Sequence, residues 1–250
     1  MAAFKDHFSP LASVYAEFRP TYPDALLDHV AGLCAQRGGA WDCACGSGQA
    51  TIALAERFDR VVATDASAKQ VAGAPPHPRV SYRVAPAEES GLEAESMDLV
   101  AVAQAAHWFD LTRFYAEVQR VLRAGGVLAI WSYGPLHVES EEVDRLVQSF
   151  YHDKVGPFWP PERRLVDEGY RELPFPYSAI PAPPLQMQQR WPLGRLLGYL
   201  RTWSATARYI ERRGDDPVQE LEGRLAPVWG DAQRERMVSW PLALRTGRKP

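Results

Sequence analysis

The sequence predicts an α/β fold wound around a parallel sheet, and three observations carry that prediction. The first is the stretch 40–71. There a short run into Asp42 meets a glycine-bearing turn, Cys45-Gly46-Ser47-Gly48, then a helical pattern, then a second apolar run, Val61-Val62-Ala63, ending on Asp65. Strand, glycine turn, helix, strand and acid form half of a nucleotide-binding α/β unit, whose crevice lies at the carboxyl ends of the parallel strands. The second is the run 97–103, mainly apolar and unbroken, of the kind buried on both faces of a parallel sheet. It leads directly into a polar and aromatic cluster at 104–110. The third is a helical pattern over 112–122 that stops at Gly125-Gly126 and passes into another apolar run, 127–131.

Composition limits the classes of function. At 250 residues the chain holds one α/β domain with embellishments. We divide it into an N-terminal arm and helix (1–38), a binding core (39–134), a helical and irregular cover with a further strand (135–235), and a C-terminal strand and tail (236–250). The formal net charge is −3 and no polybasic block occurs, so neither nucleic acid nor an anionic membrane is an expected partner. No run approaches the ~20 apolar residues needed to span a bilayer. The opening MAAFKDHFSP lacks the apolar segment of a secretory signal. Cys34, Cys43 and Cys45 are odd in number and two flank the turn, which points to reduced thiols and a cytoplasmic location. No His or Cys pair stands near Cys43-Ala44-Cys45 to complete four ligands, so no metal is expected.

Taken in order, residues 1–23 crowd Phe8, Tyr15, Phe18, Arg19 and Tyr22 together, and Pro10, Pro20 and Pro23 break the segment into a lid-like arm. A helix over 24–36 presents Leu26, Leu27, Val30, Leu33 and Cys34, and Gly38-Gly39 stops it. The helix after the turn, 49–58, carries Ile52, Leu54, Ala55 and Phe58 on its apolar face. A short helix reaches about Val71, and an alternating strand over 80–84 ends before Pro86-Ala87-Glu88-Glu89. Thr112 reads as the cap of the next helix, with Phe114, Tyr115, Val118, Val121 and Leu122 inward. Beyond residue 134 we expect an amphipathic helix at 139–151, an irregular cover rich in Pro and aromatics at 154–184, a strand at 185–191 and a helix at 193–209. A last strand at 237–244 carries Pro241, which suggests an edge or an irregularity.

The turn has a direct chemical reading. Gly46 and Gly48 lack Cβ, so the backbone can turn sharply and approach a ligand closely. The helix that follows begins with unpaired N–H groups and a partial positive charge. Asp65, at the tip of the second strand, is placed to accept hydrogen bonds from ribose hydroxyls. The plainer alternative is a glycine turn of any strand–helix–strand unit, with Asp65 capping the next helix. A dinucleotide fingerprint requires three glycines, and neither register fits: one offers Ala44, Gly46 and Gln49, the other Gly46, Gly48 and Thr51. A phosphate-binding P-loop is excluded because no Gly-Lys-Ser/Thr follows.

The pattern Asp42-x-Ala44-x-Gly46-x-Gly48 resembles the first motif of class I S-adenosylmethionine-dependent methyltransferases, which show an acid and then three glycines at alternate positions. Ala44 replaces the first of the three. The arm's Tyr-x-x-Phe-Arg-Pro-x-Tyr-Pro, the stretch Ala-Gln-Ala-x-His-Trp-Phe-Asp at 103–110 and the passage Arg-Val-Leu-Arg-Ala-Gly-Gly-Val-Leu-Ala at 120–129 resemble the trans-aconitate methyltransferase-like branch, a methyltransferase type 11 domain. The resemblance covers residues 8–134. It implies a Rossmann-like, doubly wound sheet of seven strands, mostly parallel with an antiparallel C-terminal strand, under an N-terminal lid arm and a helical cover. It implies S-adenosyl-L-methionine as cofactor and S-adenosyl-L-homocysteine as product. The cofactor would meet Tyr15, Arg19 and Tyr22 from the arm, Asp42, Ala44, Gly46 and Gly48 from the turn, Asp65 and Ala66, then Ala87 and Glu88 at the adenine, and Gln104 and Ala105 at the methionine part. Arg19 would neutralise its carboxylate, a charge-assisted bond suited to a guanidinium. His107 and Trp108 would face the transferable methyl.

Methyl transfer from a sulfonium asks the protein mainly for orientation and a dry site. The expected acceptor is a small, partly apolar molecule, given the aromatic side chains Trp131, Tyr133, Trp159 and Trp203. A carboxylate acceptor needs only basic residues to hold it, for which Arg163, Arg164 and Arg201 are candidates. A hydroxyl, amine or carbon acceptor needs a base, for which His107 or Tyr133 is the candidate. Two rivals stand beside this reading: a non-catalytic cofactor-binding module, which the departure at Ala44 keeps open, and a dinucleotide-dependent oxidoreductase.

Overall fold

The structure is a computed structural model and describes residues 18–250. Five parallel strands form its centre: β1 (Ala40–Cys43), β2 (Val61–Asp65), β3 (Val80–Val84), β4 (Met97–Ala103) and β5 (Leu122–Tyr133). Their order across the sheet is β3-β2-β1-β4-β5. The chain therefore works outward from β1 in one direction and then crosses to β4. That reversal leaves a crevice outside the carboxyl ends of β1 and β4, which pair with Cys43 opposite Val102. Every residue of β1 and the first six of β4 are buried, because both faces of this part of the sheet are covered.

Helix α1 (Asp24–Gly32) and helix α2 (Gln49–Ala55) cover one face, with Leu26, Leu27, Val30, Leu54 and Phe58 packed on Leu99, Ala101 and Ala129. The short α3 (Ala68–Ala72) follows β2, capped by Ser67. Helix α4 (Leu111–Val121) covers the opposite face through Phe114, Val118 and Val121. Its cap is Asp110, whose carboxylate accepts from the Arg113 N–H at 3.2 Å, and not Thr112, which is exposed. Asp and Thr both satisfy first-turn N–H groups, so composition alone places such a cap only to within a residue or two. Several expected helices are shorter: α1 ends at Gly32 and α2 at Ala55.

The remaining strands and α-helices are β6 (His137–Val138), α5 (Glu141–Ser149), α6 (Arg163–Asp167), β7 (Ala179–Ile180), β8 (Gln186–Trp191), α7 (Leu193–Arg201), α8 (Ser204–Arg213), α9 (Pro217–Trp229) and β9 (Arg236–Arg248). β9 runs antiparallel to β5, as expected of the C-terminal strand, and carries β8 and β7 on its far side. All seven expected strands are present. The described residues add two further pieces, β6 and β7, of two residues each, too short to leave a periodic signal. The helix expected over 193–209 is two helices, broken at Thr202-Trp203. Helix α9, absent from the sequence reading, starts on Asp216, which accepts from the Val218 N–H, followed by Pro217 at the first helical position. The cover has its own apolar core, in which Trp191, Tyr199, Trp203, Trp229 and Trp240 pack with Val147 and Leu221. No described helix is long and apolar enough to cross a membrane.

Candidate active site

The turn after β1 supplies the first wall. Ala44, Gly46 and Gly48 all have positive φ, at 57°, 55° and 83°. Only glycine enters that region without a Cβ penalty, so Ala44 is a strained substitute at the first of three like positions. A Cβ added at Gly46 would project into open space, whereas one at Gly48 would stand 2.7 Å from the Tyr82 hydroxyl. The turn is locked from outside. The Asp65 carboxylate accepts from the Gly46 N–H at 2.9 Å with one oxygen and from the Ser67 N–H at 2.8 Å with the other. A carboxylate keeps further lone pairs, so Asp65 can brace the turn and still accept from a ligand hydroxyl.

Asp42 is fully buried beneath this turn. One of its oxygens accepts from Thr51 Oγ1 at 2.5 Å, and the other has no hydrogen-bond partner among the described residues. Burial pushes its pKa up to about 7, the Thr51 hydroxyl opposing this and the nearby Asp65 adding to it. A buried carboxylate oxygen without a partner is costly, and a cationic or N–H-bearing ligand group would relieve it.

The second wall follows β4. Gln104 takes a left-handed conformation (φ 57°); its N–H donates to the Trp131 carbonyl and its side chain donates to the Tyr133 carbonyl at 3.0 Å. Ala105 is buried and Ala106–Trp108 form one 3-10 turn. Ala87 is buried beside this cluster, and half-buried Glu88 accepts from the Asp110 N–H at 2.9 Å, while Glu89 is exposed. Ala66 is half-buried next to Asp65.

Arg19, Pro20 and Tyr22 of the arm lie against both walls. Arg19 donates to the Tyr133 hydroxyl at 2.7 Å and stacks over the Tyr199 ring. Tyr22 packs edge-on against Trp131, with ring centres 5.6 Å apart. Gln49, at the start of α2, donates to the Pro20 carbonyl at 2.6 Å. Tyr15 lies outside the described residues.

Arg19, Gln104, His107, Trp108, Trp159, Arg163, Tyr199 and Trp203 line one cavity of about 60 Å³. Of the three arginines expected to hold an acceptor, Arg163 alone reaches it. Its Nε donates to Tyr151 and Asp167 at 2.8 and 2.9 Å, and its guanidinium lies 4.7 Å from the Trp159 ring centre. Arg164 is on the outer surface with Glu168 and Glu172, and Arg201 pairs with Asp216 and Glu222. Trp131 is wholly buried under Tyr22 in the sheet's core and does not line the cavity, because it points to the α1–α2 face of β5. Tyr133 touches the site through Arg19.

His107 is held at Nδ1 by the Tyr170 hydroxyl at 2.7 Å and stacks against Trp108. Burial, and then the Arg163 charge, push its pKa down to about 3, so its ring is neutral at physiological pH. Tyr151, Asp167 and Tyr170 were not foreseen. Arg163 and Asp167 stand four apart, a spacing that could have suggested their pairing; Tyr170 left no local signal. Among the described residues no cluster of acidic, His and Cys side chains could hold a metal ion.

Residues 41–130 match the methyltransferase domain family. A protein assigned as a methyltransferase in Dictyostelium discoideum is 34% identical over 229 residues, covering 90% of this chain and 87% of that one. The chain belongs to the class I S-adenosylmethionine-dependent methyltransferases. The solved structure of a protein from Anaeromyxobacter dehalogenans assigned as a type II methyltransferase is 49% identical and superimposes with a TM-score of 0.87 over 92% of this chain and 98% of that one. A phosphoethanolamine N-methyltransferase of Haemonchus contortus, solved with S-adenosylhomocysteine, shares the fold at 17% identity and a TM-score of 0.52, over all of this chain and 61% of that one.

Proposed function

We propose that the protein transfers the methyl group of S-adenosylmethionine to a small acceptor bearing a carboxylate. The observation that carries this reading is Arg163. Its guanidinium is anchored through Nε, sits on an aromatic ring at the cavity, and neither terminal nitrogen has a hydrogen-bond partner among the described residues. A planar cation with a spare fork matches a carboxylate.

The residues present fit the cofactor. The cradle at Ala44–Gly48 leaves open space above Gly46, and the partnerless Asp42 oxygen below it suits the cofactor's ammonium end. Asp65 and Ala66 would take the ribose, Ala87 and Glu88 the adenine, and Gln104, Ala105, Arg19 and Tyr22 the methionine part. The cofactor, when bound, would supply a methyl on a sulfonium: an acceptor lone pair would bond to the methyl carbon as its bond to sulfur breaks, leaving a neutral thioether and, from a carboxylate, a neutral ester. No proton is lost from a carboxylate in that exchange, so no base is required. Arg163 then orients the acceptor, and Trp159, Trp203 and Trp108 exclude water and offer π faces to a cation.

The test is transfer of labelled methyl from S-adenosylmethionine to a panel of small carboxylic acids, with matched alcohols and amines as controls. Arg163→Gln is expected to raise KM for an accepted acid 10-fold or more while leaving cofactor affinity within about two-fold. Label transfer confined to amines or alcohols would overturn the carboxylate reading.

A further inference from the structure

We propose that Tyr170 is a positioning residue that fixes His107 with its proton on Nε2, so that the imidazole offers a hydrogen-bond donor to an anionic acceptor oxygen beside Arg163. The proposal rests on the carboxylate reading for the ligand, and on this chain's own geometry for the tautomer.

Tyr170 is 1% exposed and reaches His107 from a left-handed turn, Gly169-Tyr170, just beyond α6, 63 residues away in sequence. Its hydroxyl lies 2.7 Å from Nδ1. Among the described residues Nδ1 is the hydroxyl's one hydrogen-bond partner, and so the one acceptor its proton meets. The reverse arrangement, with Nδ1–H donating to the phenol, would leave that proton buried without an acceptor, at a cost of order 1–3 kcal/mol. The proton of the neutral ring therefore sits on Nε2. Nε2 has no partner among the described residues, and His107 lines the same cavity as Arg163.

Two features oppose the role of base that the sequence suggested for His107. Its surroundings, burial first and then the Arg163 guanidinium, disfavour a positive charge on the ring, and Tyr170 withholds Nδ1 from any other proton. What remains is a neutral donor next to a cation. The pair would hold a carboxylate's non-reacting oxygen and leave the other to attack the methyl.

The test is long-range ¹H–¹⁵N correlation NMR of the imidazole rings from pH 5 to 8, with His107→Gln used to assign the His107 signals. The wild type is expected to show a neutral ring with bare Nδ1 and protonated Nε2 throughout. Tyr170→Phe is expected to show exchange between tautomers and an upward-moved titration. On an acid that accepts label, Tyr170→Phe should raise KM about 3- to 10-fold with kcat within about two-fold. A protonated Nδ1 in the neutral wild-type ring, an imidazolium at neutral pH, or a Tyr170→Phe ring indistinguishable from wild type would overturn the assignment, and a fall in kcat at constant KM would overturn the donor role. The spectrum needs no acceptor, so absence of methyl transfer to acids would fail the carboxylate reading while leaving the tautomer result standing.

Discussion

The Arg19 guanidinium donates to the Tyr133 hydroxyl at 2.7 Å, joining the arm to the carboxyl end of β5 across 114 residues of sequence. The same Tyr133 accepts the Gln104 side chain at its carbonyl, so arm, β4 and β5 meet at one tyrosine. Loss of one charge-assisted bond should loosen the arm. We expect Tyr133→Phe to weaken S-adenosylhomocysteine binding about 5- to 10-fold by calorimetry, with an unchanged circular dichroism spectrum. Unchanged affinity would separate the arm from the cofactor.

Ala44 pays for its left-handed backbone with a Cβ that glycine lacks. Ala44→Gly is expected to stabilise the protein by about 0.5–1 kcal/mol, allowing for glycine's greater freedom in the unfolded chain. That corresponds to a Tm rise of about 1–4 °C in a chain of this size. A lower Tm would show that the turn relaxes around Ala44.

Gly48 and Tyr82 form a coupled pair, since a Cβ at Gly48 would stand 2.7 Å from the Tyr82 hydroxyl. Gly48→Ala should cost about 1–3 kcal/mol through overpacking and backbone strain. Adding Tyr82→Phe should recover at least about 0.5 kcal/mol in a double-mutant cycle, because the hydroxyl is removed while the backbone strain stays. Additive losses would mean that the hydroxyl moves aside.

Asp42 sets a pH dependence. Its pKa is raised from 3.8 to about 7 in the fold, by burial first. Between those values the folded state keeps a proton that the unfolded chain has lost, so this group lowers stability as pH rises from about 4 to 7 and has no further effect above. The upper bound is about 4 kcal/mol. Asp42→Asn keeps an oxygen for Thr51 and cannot ionise. Thermal melts should therefore show the variant gaining on wild type from pH 4 to pH 7, and a constant difference would remove the buried carboxylate from the account.

The parts legible in sequence are those where one residue type answers one physical demand. Asp42, Gly46, Gly48 and Asp65 mark a strand–turn–helix passage because turns need positive φ and strand tips carry acids. Met97–Ala103 is legible because a strand covered on both faces must be apolar throughout. The acceptor side is read less well, since it is assembled by the cover. Arg163, Arg164 and Arg201 look alike in sequence, and only folding brings one of them onto Trp159 and turns the others outward. Trp131 was expected at the acceptor, but strand alternation sends it to the α1–α2 face. Tyr170 could not be found from its neighbours, because its partner is 63 residues distant.

The most direct test of the central claim is calorimetric titration of the purified protein with S-adenosylmethionine, S-adenosylhomocysteine and NADH. Micromolar binding of both sulfur nucleotides and no heat with NADH is the expected result. No binding of either sulfur nucleotide would contradict it and would show that the turn carrying Ala44 is not a working cofactor site.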